Sequence, residues 1–235
     1  MTLVVAHRGA SRAAPENTLE AFEVAVALGA DGVELDVHRT ADGALVVHHD
    51  AAVPGFGVLA DAPLAAIRAA RPAVPTLDEA LDVCRGRLVN VEVKNLVGDA
   101  DWDPDDHAAE LLVELLTGRG LADDVIVSSF NLTTVDRIRA REPAIATAFL
   151  TPGVFDPFDA LDIVVDRGHA ALHPGVRAVA GSIAGELVER AHAAGVRVNV
   201  WTVNDEAEIG RLGDAGVDAV VTDVPDVARR VLDRS

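Results

Sequence analysis

Ala27-Leu28-Gly29-Ala30-Asp31-Gly32-Val33-Glu34-Leu35-Asp36-Val37 ends a helix and begins a strand. Gly29 can take the left-handed conformation that terminates a helix. In the strand that follows, residues two apart share a face, so Glu34 and Asp36 point one way and Val33 and Leu35 the other. Two related junctions recur at Ala193-Ala194-Gly195-Val196 and Asp214-Ala215-Gly216-Val217-Asp218. Outward from them, strand-like runs occupy Leu3–His7, Gly32–Val37, Leu88–Lys94, Val125–Phe130, Ala144–Leu150, Ala170–His173, Arg197–Val203 and Ala219–Asp223. Helical stretches such as Thr18–Leu28, Ala108–Leu116, Ser182–Ala194 and Glu206–Ala215 lie between them. Strict alternation predicts an α/β fold with a parallel sheet, and eight units predict closure into a TIM-type (β/α)8 barrel. An open doubly wound sheet is the structural alternative, but no glycine-rich dinucleotide fingerprint follows the first strand. The 235 residues suit one barrel domain spanning residues 1–235, with loop and one short helix expected in residues 51–74.

Three polar clusters sit at the ends of apolar runs: His7-Arg8-Gly9, Glu34-x-Asp36 and Asn90-x-Glu92-x-Lys94. Uncompensated carboxylates are costly to bury, so three that converge require a cation, protons or a water-filled cleft. The convergence reads as a metal-assisted active site. An all-carboxylate ligand set favours a hard divalent cation, Mg²⁺ or Ca²⁺, with Mn²⁺ also suited. After the second strand, Thr40-Ala41-Asp42-Gly43 is a strong turn signal and Ala44–His49 a β run. Pairing Thr40 with Ala44 or Leu45 brings His48 or His49 level with Asp36. His7 closes the neighbouring strand, so two imidazoles flank the carboxylates in a manner suited to general acid–base catalysis.

The same residues resemble the glycerophosphodiester phosphodiesterase family. The resemblance is carried, in order, by His7-Arg8-Gly9, Pro15-Glu16-Asn17-Thr18 with Ala21-Phe22, Gly29 through Val37, and Thr40-x-Asp42-Gly43 with His49-Asp50. It continues through Pro75-Thr76-Leu77, Val91-Glu92-Val93-Lys94, Ser129-Phe130 and Trp201-Thr202-Val203-Asn204. It implies a TIM-type barrel and divalent-metal-dependent hydrolysis of a phosphodiester, with glycerophosphodiesters cleaved to sn-glycerol 3-phosphate and an alcohol. By position, Glu34, Asp36 and Glu92 match the family's metal ligands, and His7 and His49 its catalytic pair. The chain departs from the family in residues 51–74, where the substrate-capping insertion is shortened and lacks the Arg-Thr-Thr stretch that members often carry there.

Charge counting agrees with one phosphodiester: three carboxylates and a divalent ion leave −1, and Lys94 with Arg8 brings the site to +1. Lys94 and Arg8 are therefore expected to hold the phosphoryl group. Which histidine acts as acid, and whether water or a substrate hydroxyl attacks, stay open. Trp201 can line the pocket against the substrate's carbon portion or pack in the core, and His173 is a further candidate contact. Pro15-Glu16-Asn17-Thr18 reads first as a helix start, with Glu16 or Asn17 supporting the site as the alternative. His48 is expected at the surface, and His38, His107, His169 and His192 at solvated positions. Asp99, Asp101, Asp103, Asp105 and Glu110 have the spacing of a calcium loop, but Pro104 occupies the turn position that needs glycine, and Asp103-Pro104 can instead open a helix.

A formal charge of −18 argues against nucleic acid and anionic membrane surfaces as partners and leaves a small phosphodiester as the expected ligand. No apolar run approaches the ~20 residues that span a bilayer, so no stable membrane insertion is expected. The start lacks a basic leader, and lone Cys84 fits a reducing compartment, so a cytoplasmic location is expected. Nothing in the sequence specifies an oligomeric state. Three rival readings remain: a lysophospholipid-cleaving phosphodiesterase on the same barrel, a metal-dependent barrel lyase or isomerase stabilising an enolate, and a non-catalytic binding barrel.

Overall fold

Each helix-to-strand junction singled out in the sequence turns through a left-handed glycine, with φ of +83° at Gly29, +74° at Gly195 and +79° at Gly216. The computed structural model describes residues 1–233. Its strands are β1 (Leu3–His7), β2 (Gly32–Arg39), β3 (Leu45–Val47), β4 (Ala52–Val53), β5 (Gly57–Val58), β6 (Leu88–Val93), β7 (Val125–Ser129), β8 (Ala146–Thr151), β9 (Ala171–Pro174), β10 (Arg197–Val200) and β11 (Ala219–Thr222). β1, β2 and β6 to β11 run parallel, and β1 pairs with both β2 and β11, which closes an eight-strand barrel ringed by helices. β3 is the antiparallel return of the expected hairpin.

Parity along the strands divides the core in two. Val33, Leu35 and Val37 of β2 and Val89, Val91 and Val93 of β6 face outward and are buried with Phe22 and Leu77 from the surrounding helices. Inside the barrel the floor is apolar: Val5 with Ala219 and Val221, and Ile126 with Ala148 and Ala171. Fully burying each large aliphatic or aromatic side chain contributes ~1.5–3 kcal/mol, so the outer layer dominates stability and frees the inner upper layer for polar residues. Those inward positions are His7, Glu34, Asp36, Asn90 and Glu92.

The helices start where short polar side chains accept their orphan N–H groups. Thr18 accepts from Ala21 N ahead of the helix Leu19–Ala27, and Thr76 with Glu79 forms a reciprocal capping box ahead of Leu77–Val83. The helix expected from Asp103-Pro104 begins later, at His107, because Asp106 takes a left-handed φ of 56° and Asp103 Oδ2 accepts the His107 N–H. Residues 51–74 are more ordered than a loop. β4 and β5 form a miniature hairpin, Leu64–Ala70 is helical, and Val53, Leu59 and Ile67 make a small core with Val46 of β3. Among the described residues no helix is long and apolar enough to cross a membrane.

Gly9 fixes the turn that leaves β1. It has φ +80°, and a Cβ there would lie 2.7 Å from the backbone carbon of Ala21. Gly9→Ala is therefore expected to lower unfolding free energy by ~2–4 kcal/mol, combining left-handed strain with overpacking, as read by chemical denaturation. A variant within 0.5 kcal/mol of wild type, roughly the scatter of neutral substitutions, would contradict this account of the turn.

Candidate active site at the C-terminal edge of the barrel

Strand register decides which polar side chains meet. Asp36 of β2 lies beside Glu92 of β6, Glu34 beside Asn90, and His7 of β1 beside Glu34. Glu34, Asp36 and Glu92 are buried and each offers an oxygen within 4.8 Å of the other two. Two cations face them. Lys94 Nζ lies 2.8 Å from Glu92 Oε1 and 3.3 Å from Asp36 Oδ1, and Arg8 Nε lies 3.2 Å from Asp36 Oδ2. Arg8, at φ 55°, also donates its backbone N–H to Glu34 Oε2 and its guanidinium to Glu16.

The charges are unevenly satisfied. Burial and then Asp36 push the Glu34 carboxyl up to about 8. Burial and Asp36 also raise Glu92, although Lys94 pulls the other way. For Asp36, burial acts to raise the pKa, but Lys94 and Arg8 outweigh it and hold the carboxyl below its usual range. Asp36 Oδ1 is buried without a hydrogen bond, its nearest cation being Lys94. Three carboxylates against two side-chain cations leave one negative charge in excess, and the donors are all hard oxygens. That combination fits a divalent cation such as Mg²⁺ or Ca²⁺.

The expected hairpin delivers its histidine. Thr40 N–H binds Ala44 O, and His48 N–H binds Asp36 O at 3.0 Å, so the return strand is in the register the turn spacing requires. His49 then lines the same cavity as His7, Glu34 and Glu92, while His48 turns to the backbone of Asp50. The cavity has a volume of about 250 Å³, and Phe130, Leu150, Trp201 and His173 form its apolar side. Trp201 donates Nε1–H to the His173 carbonyl and meets Phe130 edge to face at 5.3 Å. His173 is buried beside Asn199, whose amide lies 2.8 Å from His173 Nε2, and burial lowers its pKa to about 3.

Several supporting residues escaped the sequence reading. Asp223, just past β11, binds His7 Nδ1 at 2.7 Å and is itself held by Ser11 and by Asn204 Nδ2 at 2.6 Å. A carboxylate only accepts, so Nδ1 carries the proton and Nε2 is the nitrogen left for chemistry. Burial disfavours the imidazolium, but the Asp223 bond and the charge of Glu34 prevail and raise His7 above the usual range. Barrel closure was the available signal, since it sets the end of the eighth strand beside the first. Asn17 donates to Asp36 Oδ2 at 2.8 Å, so the segment expected to start a helix also supports the site. His38 and His169, expected to be solvated, are buried. His38 binds Asp101, and His169 binds Thr147 and Asp136. His107 and His192 are exposed as expected. The calcium-loop spacing does not become a metal cluster among the described residues, since Asp101 pairs with His38 and Asp103 with His107.

A family model described as the glycerophosphoryl diester phosphodiesterase family matches residues 7–227. A glycerophosphodiester phosphodiesterase of Caldanaerobacter subterraneus is 34% identical over 96% of this chain and 95% of its own length. Among solved structures, an Oleispira antarctica phosphodiesterase in complex with the product sn-glycerol-3-phosphate superposes with a TM-score of 0.84 at 28% identity, covering 99% of this chain and 97% of its own. A glycerophosphodiester phosphodiesterase of Thermotoga maritima gives 0.83 at 26%, covering 98% of each chain.

The Asp223 carboxyl is held at about 2; burial opposes this, and the bonds from His7 and Asn204 override it. A depressed folded pKa gives stability that is present above the unfolded value near 4 and lost as pH falls toward 2. The melting-temperature gap between wild type and Asp223→Asn is therefore expected to be full at pH 5 and to shrink by pH 2.5. A gap that is constant or widens on acidification would refute the bond's assigned role.

Proposed function

Because the chain belongs to the glycerophosphoryl diester phosphodiesterase family, we propose that it hydrolyses glycerophosphodiesters to sn-glycerol 3-phosphate and an alcohol. A divalent cation, Mg²⁺ or Ca²⁺ with Mn²⁺ also suited, is held by Glu34, Asp36 and Glu92. The observation that carries the reading is the meeting of those three carboxylates with His7 and His49 around one cavity, between two cations able to take a phosphoryl group. The bound cation supplies Lewis-acid polarisation of a non-bridging phosphoryl oxygen. Lys94 and Arg8 bind the phosphoryl group, and Arg8 is kept in place by Glu16 and Asp36. Asp223 fixes the His7 ring so that Nε2 can move a proton, and His49 moves the other. One accepts a proton from the nucleophile, whether water or a neighbouring substrate hydroxyl, and the other protonates the leaving alkoxide. Trp201 packs against the carbon part of the substrate, with His173 behind it.

A cavity of about 250 Å³ lies below the ~300–1,000 Å³ of drug-sized pockets and suits a compact polar ester. One observation favours a second substrate, a lysophospholipid. Leu96, Val97, Trp102, Val154 and Phe155 are exposed, and all lie in loops that follow β6 and β8 at this same edge. The barrel of residues 1–235 carries this activity; the lone buried thiol Cys84 fits a reducing, cytoplasmic setting, and the proposed substrate class belongs to lipid and glycerol metabolism.

The test is a panel of glycerophosphocholine, glycerophosphoethanolamine and a lysophospholipid, assayed before and after chelation. Turnover of the glycerophosphodiesters should vanish on chelation and return with Mg²⁺, Ca²⁺ or Mn²⁺, and turnover that survives chelation contradicts the reading. His7→Ala and His49→Ala should each lower kcat by at least ~10²-fold with the fold retained, as read by far-UV circular dichroism. Either variant working at near-normal rate removes that histidine from the mechanism. Glu92→Gln should raise the metal concentration needed for half-maximal activity, and an unchanged requirement removes Glu92 from the ligand set.

A further inference from the structure

We infer that His38 is a positioning residue for His49, acting through a buried bridge to Asp101; the inference rests on the phosphodiesterase reading above. His38 continues the face of β2 that carries Glu34 and Asp36, one step further toward the rim. Its ring is 1% exposed and the Asp101 side chain 3%. Nδ1 lies 2.6 Å from Asp101 Oδ2, and Nε2 lies 3.1 Å from the backbone carbonyl of His49. Each ring nitrogen thus faces an oxygen of a different segment, and the ring ties the two segments together.

Those segments are the stretch that leads from β3 to His49 and the loop of residues 94–106 between β6 and the helix His107–Arg119. The loop is rigid enough to serve as an anchor. Asn95 clasps Asp103 through two hydrogen bonds, at 3.0 and 2.8 Å, and Arg39 Nε reaches Asp103 Oδ2 at 3.4 Å beside the His38 bridge. His49 has little else to hold it. Its ring is 37% exposed and is oriented by Asp50, which is 65% exposed and adjacent in the chain. Beside the His48 N–H bond to the Asp36 carbonyl, the contact of His38 with the His49 carbonyl makes the bridge a second buried restraint on where the His49 imidazole stands. Reactions that depend on a near-attack geometry are sensitive to such restraints, since a displacement of about 1 Å can lower the rate ~10²-fold.

Two substitutions separate the halves of the bridge. The amide of Gln can take the position of Nε2 and keep the donor to the His49 carbonyl, whereas that of Asn takes the position of Nδ1 and keeps only the donor to Asp101. His38→Asn is expected to lower kcat about ten- to hundredfold with KM unchanged, and His38→Gln, which keeps the His49 contact but loses the Asp101 anchor, only severalfold. Asp101→Asn, which leaves His38 in place but weakens its anchor, should lower kcat severalfold in protein that is still folded at the assay temperature. His38→Asn at wild-type kcat overturns the inference, as does equal impairment of the Asn and Gln variants. If His38→Asn does not fold, Asp101→Asn at wild-type kcat overturns it instead. Imidazole ¹⁵N resonances give a readout that needs no turnover: the His49 signals must move in Asp101→Asn relative to wild type, and unchanged signals overturn the inference. Wild-type protein inert toward every glycerophosphodiester strikes the phosphodiesterase reading alone, because the resonance test still decides the bridge.

Discussion

Three carboxylates share the upper interior of a barrel whose lower interior is built from alanine, valine and isoleucine. In such surroundings a carboxylate without a counter-charge costs several kcal/mol, and two side-chain cations cannot neutralise three anions. The rest of the site can be understood as a response to that constraint. Arg8 accepts a left-handed backbone so that both its N–H and its guanidinium face the cluster. Lys94 spans Glu92 and Asp36, and Asn17 reaches from the first loop to the Asp36 oxygen that Arg8 also faces. The charge still uncompensated falls on Glu34, which is pushed up to about 8. A divalent ion held there would offset that excess and leave a net positive site, the electrostatic complement of a phosphodiester.

Around this centre the two histidines are held by different means. His7 ends a barrel strand and is fixed from behind by Asp223, which has its own partners in Ser11 and Asn204. His49 arrives on a hairpin and is more exposed, so its placement relies on contacts made by the hairpin backbone. A part-buried imidazole on the sheet and a more exposed one beyond the hairpin form a workable division for a reaction in which one group takes a proton and the other gives one. The small core under residues 51–74 matters here as well. Val53, Leu59 and Ile67 pack on Val46, so the shortened cap segment braces the strand that carries His49.

Most of the architecture was legible because local rules are strong where the fold is regular. Strand parity separated Glu34 and Asp36 from Val33 and Leu35, left-handed glycines marked the helix ends, and the turn Thr40-Ala41-Asp42-Gly43 fixed the register that brings His49 to the site. The readings that failed concerned contacts set by chain closure or by loops folding back. Asp223 lies 216 residues from His7 in sequence, and only the pairing of β1 with β11 makes them neighbours. His38 reads as a polar residue leaving a strand until the loop carrying Asp101, 63 residues away, covers it. The helix start moved from Asp103-Pro104 to His107 because Asp103 spends its carboxylate on the His107 and Asp105 N–H groups. In the first two cases the deciding partner is remote in sequence and has no signature of its own.

The central claim is that Glu34, Asp36 and Glu92 converge because a divalent cation belongs between them. Anomalous diffraction from crystals grown with Mn²⁺ tests it most directly. The account predicts one strong peak within coordinating distance of all three carboxylates, with Lys94 and Arg8 outside the coordination sphere. A map with no peak at that point, or with the ion held elsewhere and Lys94 bridging the carboxylates alone, would contradict it.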